Sequence, residues 1–162
     1  LAWMRDQTAS RALGELGLEE EVWLCHGSPR SDVEYLLETV TKQGVRPATP
    51  EEISVRCGER GVSAGLIACA HTHIPRVVRA PGGALVVNPG SVGLPAYDDT
   101  SPYHHVMEAG SPHARYAVLE RSDSGWLCQL LSIPYDHASM AALAEERGRQ
   151  DWARALRNGF LS

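Results

Sequence analysis

GLIACAHTHIP, residues 65–75, is the stretch on which the reading of this chain turns. Gly65 to Ala70 form an uncharged run with the length of a buried strand. The run leads straight into His71, Thr72 and His73, after which Ile74-Pro75 ends regular structure and turns the histidines out at the carboxyl edge. Upstream the same plan recurs, with EEVWLC (20–25) delivering His26. Imidazole is the commonest metal-binding side chain at neutral pH, and three of them at strand ends on one rim suggest a metal centre.

An H-x-H pair alone is weak: with 7 histidines in 162 residues, roughly 0.3 such pairs arise by chance. Position supplies the rest, because open α/β sheets bind ligands at the carboxyl ends of their strands. His26 opens HGSPR (26–30), where Gly27 permits close backbone approach and a following helix N-terminus favours an anion. VVNPGSVGLP (86–95) is a third rim element. Its Asn88 and Ser91 are placed to orient a ligand histidine or to touch a substrate oxygen.

Outward from these motifs, strands and helices alternate. EVWLC reads as a strand and SDVEYLLETVTKQ (31–43) as a helix opened by a Ser31/Glu34 capping box. A second short helix starts at Thr49-Pro50. RVVRA and ALVVN flank Pro81-Gly82-Gly83, and RYAVLE and WLCQLLSI flank 121–125, both hairpin signals. The tail SMAALAEERGRQDWARALRNGF (139–160) is a helix broken at Gly148. The opening LAWMRDQTASRALGEL also reads as an amphipathic helix, and Leu1 is not an initiator methionine.

Between Val92 and Ala114 the periodicity lapses in a stretch rich in Pro, Gly, Asp and His, read as a lid or binding loop that includes Tyr97. Within it His104, His105 and His113 read as solvated, as do Asp98, Asp99 and, further on, His137.

A chain of 162 residues, 43% hydrophobic and 22% charged, suits one domain (1–162) with a single core. A net charge of −5 disfavours nucleic acid as a partner. Cys25, Cys57, Cys69 and Cys128 show no C-x-x-C spacing and read as reduced, structural thiols. With no apolar run long enough to span a bilayer and no leader-like start, a cytoplasmic protein without membrane contact is the expectation.

In their order, HGSPR after a strand, AHTHIP after a strand, VVNPGSVGLP closing a hairpin and RYAVLE before a last strand resemble the calcineurin-like metallophosphoesterase superfamily, specifically its small bacterial and archaeal phosphodiesterase branch. The resemblance implies an α/β (α+β) fold, a β-sandwich flanked by helices. It also implies two divalent ions (manganese, iron, zinc or nickel) at the strand ends. By position, His26 resembles the lone histidine of the later metal motif and His71 and His73 match the paired histidines of Gly-His-x-His. His26 and His71 would hold one ion and His73 the other. Two such ions bind a phosphate ester and lower the pKa of a bridging water, so the implied activity is hydrolysis of a small-molecule or nucleotide-like phosphodiester.

The chain departs from the pattern twice. Ala70 stands where the family has glycine. The earlier motifs, Asp-x-His, Gly-Asp and Gly-Asn-His-Asp/Glu, occur nowhere, and Asp32, Asp98, Asp99 and Asp136 do not stand in contexts that replace them. No catalytic residue is therefore assigned within the chain. Two explanations follow: the C-terminal portion of a longer enzyme, favoured by the helix-like start, or a short relative that lost catalysis and serves as an interaction scaffold. Either leaves a sheet edge and apolar face open to association, including between copies of the chain.

Overall fold

The structure is a computed structural model that describes residues 10–12 and 21–162. Its centre is a five-stranded sheet in the order β1-β2-β5-β7-β6. The strands are β1 (Ser10–Ala12), β2 (Glu21–Cys25), β5 (Ala64–Ala68), β6 (Arg76–Arg79) and β7 (Leu85–Asn88). The inner strands β2, β5 and β7 run parallel, in line at Leu24, Ala68 and Val87, while β1 and β6 close the two edges antiparallel.

A parallel sheet is stable only when covered on both faces, and the near-continuous apolar character of β5 and β7 reflects that. On one face Ile67 and Val86, both fully buried, pack with Leu36, Leu37, Ile53 and Cys57. Burying each such side chain contributes about 1.5–3 kcal/mol. On the other face Val22, Leu66, Leu85 and Val87 meet Ala117, Leu119, Trp126 and Cys128 of a long hairpin, β10 (Ala114–Ser122) with β11 (Gly125–Ile133). The hairpin forms the second layer of a sandwich. Helices α1 (Pro50–Cys57), α2 (Arg60–Ser63), α3 (His137–Glu146) and α4 (Gln150–Asn158) complete the mixed α/β fold.

Both expected hairpins form, as does the helix after Thr49, whose capping box with Glu52 is complete. The tail breaks where expected: Gly148, between α3 and α4, sits at φ 74°, a left-handed conformation glycine adopts without strain.

Three expectations are corrected. No helix covers 31–43; residues 31–37 are irregular, and β3 (Glu38–Thr41) pairs with β4 (Gly44–Pro47). The Glu34 carboxylate goes to Ser28 Oγ at 2.7 Å and to Arg30 instead of capping Ser31. The Ser31 carbonyl is taken by Ser28 N–H at 2.7 Å, and the carbonyls of Ser31, Asp32 and Glu34 crowd Gly27, each 2.7 Å from where a Cβ would stand. Thr39, Val40 and Thr41, stiff at χ1, favour the strand that results.

The lapse at 92–114 is likewise a hairpin in part, β8 (Ala96–Asp99) with β9 (His105–Glu108). Within the opening segment Ser10–Ala12 is strand, supplying β2 with an edge partner; the rest of the expected helix lies outside the described residues. Among the described residues no helix is long and apolar enough to cross a membrane, and all four cysteines are free.

Candidate metal centre

The parallel register carries the candidate histidines to one rim. Past the strand ends the ladder continues through Cys69 N–H to Val87 O (2.9 Å) and Ala70 N–H to His26 O (2.8 Å), tying the HGSPR, AHTH and VVN segments together. There the rings of His26 and His71 lie with centroids 4.8 Å apart, inclined at 43°. His26 is exposed and His71 half-buried.

His71 and His73 have φ values of 63° and 60°, the only described non-glycine residues with positive φ. Left-handed backbone at such residues costs on the order of 1–3 kcal/mol each and persists only where the surroundings enforce it. Asn88 is the main enforcer. At 1% exposure it donates through Nδ2 to Ala70 O (2.6 Å) and Thr72 Oγ1 (3.0 Å), while its Oδ1 accepts from Gly90 N–H (2.9 Å). With its amide so committed, Asn88 holds the histidine loop.

Tyr97 donates its hydroxyl to the His71 carbonyl at 3.1 Å and stacks edge-on to His73, centroids 5.1 Å apart. Ser91 accepts from Leu94 N–H through Oγ at 3.0 Å, shaping the loop whose carbonyl receives His73. His73 Nδ1 lies 2.7 Å from Leu94 O, and since a carbonyl only accepts, the proton sits on Nδ1. Nε2 of the neutral ring is then a lone-pair donor, the arrangement in which metal-binding histidines are commonly held.

Burial, and after it the charge of His26, holds His71 below the ordinary imidazole value; burial does the same for His73 against the opposing Leu94 contact. Both rings are therefore neutral at pH 7, the form that binds a cation.

The rim brings the rings of His26 and His71 together, and His73, packed against Tyr97, lies near enough to interact electrostatically with both. Among the described residues no three His, Cys, Asp or Glu side chains gather into a set able to hold an ion. In chemistry the imidazoles fit a borderline divalent cation. The bridging carboxylate of a dinuclear site is not among the described residues of the rim.

Beside His71 opens a cavity of about 580 Å³ whose lining includes Tyr35, Glu38, Thr39, Arg56 and Asp99. The Arg56 guanidinium is fixed on the carbonyls of Leu36 and Glu38 and on Thr39 Oγ1. Glu38, 2% exposed, receives Arg76 Nε on Oε1 at 2.8 Å, and its Oε2 is buried without a partner.

Two residues of this neighbourhood were not legible as such. Tyr35 falls within the helix expected over 31–43, yet its ring meets His71 edge-on at 4.8 Å. His105, read as solvated, is 3% exposed and bonds Tyr35. The alternation His105-Val106-Met107-Glu108, buried and exposed in turn, is the signal that could have found it. His104 is exposed near Asp98, whereas His113 and His137 are half-buried; His137 Nδ1 contacts Leu156 O at 2.9 Å, far along the chain from the rim.

No family model and no curated protein matches the chain. Among solved structures it is similar to a hypothetical protein of Pyrococcus horikoshii OT3, at 15% identity and a TM-score of 0.66 over 98% of the chain and 54% of that protein. The chain thus spans about half that protein's length. Lower similarities are to a Vps29 single mutant from Entamoeba histolytica (15% identity, 81% of this chain and 64% of that one, TM-score 0.41) and to Vacuolar Protein Sorting 29 from Cryptosporidium parvum (15%, 78% and 57%, 0.35). At such identity the likeness to the Pyrococcus protein speaks to the fold alone, a mixed α/β arrangement of sheets and flanking helices.

Proposed function

We propose that His26, His71 and His73 are ligands of divalent metal in a phosphoesterase centre, and that the protein hydrolyses small-molecule or nucleotide-like phosphate esters, in the first place phosphodiesters. The observation that carries this reading is the pairing of two imidazoles at the carboxyl ends of adjacent parallel strands, one of them on strained backbone. Strain of that kind clusters at binding sites. Two ions, manganese, iron, zinc or nickel, would supply Lewis-acid charge for the phosphate oxygens and a water of lowered pKa.

The chain's own residues do the holding and orienting. Leu94 O fixes the His73 tautomer, Asn88 and Tyr97 hold the backbone of the His71 loop, and Ser91 shapes the loop around Leu94. The cavity beside His71 offers the ring of Tyr35 to the organic part of the ester, with Arg56 and Thr39 bonded to each other in its wall. In this reading the bridging carboxylate comes from outside the described residues. Free cysteines agree with a reducing, cytoplasmic setting.

The test is hydrolysis of bis(4-nitrophenyl) phosphate by the intact protein with added manganese. His71→Ala should reduce turnover to background, and full retention of activity would sink the assignment.

A second reading, a non-catalytic interaction scaffold, is favoured by one observation: Tyr116, Val118, Leu127 and Ile133 form an exposed apolar face on the hairpin β10–β11. Sedimentation of the protein alone addresses it; self-association abolished by Val118→Lys, with no metal uptake, would prefer this reading.

A further inference from the structure

The helical tail carries a second cavity, of about 480 Å³, which opens between α3, α4 and the turn at Val92-Gly93. Its lining includes the buried Leu156. Met140, Leu143 and Trp152 line it while 40–44% exposed, and Val92 while 69% exposed. One apolar side chain left in water is ordinary. Four that converge on a single hollow of this size have the make-up of a ligand pocket, apolar with a few polar groups.

Those polar groups are two guanidiniums and a phenol. Arg149 is neutralised: it bonds both carboxylate oxygens of Asp151 and lies over the Trp152 ring at 4.4 Å. Arg147, which follows α3, differs. Glu145 is taken by Arg157, Glu146 does not line the cavity, and among the described residues no carboxylate engages the Arg147 guanidinium. Tyr135 adds a hydroxyl that is likewise without a hydrogen-bond partner among the described residues. One surplus cation and one free donor beside an apolar hollow complement a molecule with an apolar body and a single carboxylate, which arginine grips through two parallel N–H···O bonds.

We propose that this cavity binds a long-chain fatty acid, its alkyl chain lying between α3 and α4 against Leu143, Trp152 and Val92 and its carboxylate on Arg147. The site does not depend on the metal assignment. Two other occupants suit it less well. A membrane surface calls for a broad basic face, whereas the chain carries a net charge of −5. A second copy presenting the same face brings another surplus cation to the contact, not the anion that Arg147 lacks.

The test is isothermal titration calorimetry of the whole, metal-free protein with decanoate at pH about 7. One molecule should bind per chain, with a dissociation constant in the micromolar range. Hexanoate, shorter by four CH2 groups, should bind at least about ten-fold more weakly, since each fully buried CH2 is worth about four-fold. Decanol, which lacks the charge, should also bind at least about ten-fold more weakly. Arg147→Gln, a change at an exposed position, should weaken decanoate at least about ten-fold and leave decanol unaltered. Ala144→Trp, which fills the cavity, should weaken both ligands. The proposal is overturned if decanoate does not bind one to one, if decanol binds as tightly, or if Arg147→Gln leaves decanoate affinity unchanged. It is equally overturned by a concentration-dependent dimer in sedimentation that Leu143→Lys dissolves, which gives the face to a second copy. Binding to phosphatidylglycerol vesicles without binding of decanoate gives it to a membrane, and likewise overturns the fatty-acid site.

Discussion

The rings of His26 and His71 face each other across 4.8 Å, although the residues are separated by two helices and a hairpin in the chain. The parallel pairing of β2 with β5 is what closes that distance. A cation held by both should be lost when either is removed. We expect His26→Ala and His71→Ala each to weaken zinc binding at least about ten-fold by equilibrium dialysis. His113→Ala, at a half-buried position outside the rim, should leave it unchanged, and equal loss in all three would refute the pairing.

Asn88 is where the rim is most vulnerable. Truncation to alanine leaves Thr72 Oγ1 and Gly90 N–H without the Asn88 amide in a largely buried place, and Ala70 O with the Thr72 N–H alone. Unsatisfied buried groups of this kind cost about 1–3 kcal/mol each, partly relieved by relaxation, so Asn88→Ala should destabilise the fold by about 2–4 kcal/mol in urea unfolding. Asn88→Asp turns the donating end into an acceptor against Ala70 O and should be no better. A loss under about 0.5 kcal/mol would show that the amide holds nothing.

What was legible in the sequence was whatever local chemistry decides. Apolar strands leading into histidine, the helix start at Thr49-Pro50 and the glycine break at 148 all follow from a few neighbouring residues, and each forms. The Ser31/Glu34 signal was equally local and failed, because Ser28 N–H takes the Ser31 carbonyl and Arg30 with Ser28 takes the Glu34 carboxylate. Tyr35 and His105 stayed hidden for a related reason. Their meaning lies in contacts 70 residues apart, and tyrosine and histidine obscure a period-two pattern that a binary polar/apolar reading needs. The three rim histidines could be placed on one edge from sequence, but whether their rings share a point could not.

The pH dependence of stability follows from the depressed values of His71 and His73. A histidine held below its unfolded value of about 6.5 binds fewer protons folded than unfolded, so it favours unfolding once pH falls below that value. The metal-free protein should thus show a lower urea midpoint at pH about 5 than at about 7, and His71→Asn/His73→Asn should flatten the difference. Asparagine serves here because it tolerates left-handed backbone. A double variant with the wild-type slope would assign the dependence to other groups.

The last expectation separates strain from ligation at a single position. At φ 63° the Cβ of His71 crowds its own backbone, a penalty that alanine would share and glycine would escape. In an ordinary strand or helix, alanine is the more stable of the two by about 0.5–1 kcal/mol. At position 71 the order should reverse, with His71→Gly more stable than His71→Ala by about 1 kcal/mol in chemical unfolding. Both variants lack the imidazole, so zinc binding should fall equally in the two. If alanine proves the more stable, the backbone there is not left-handed in solution, and strain no longer supports reading this turn as a binding site. If instead the stability order reverses as expected while zinc binding survives in both, the strain is real but His71 is not a ligand.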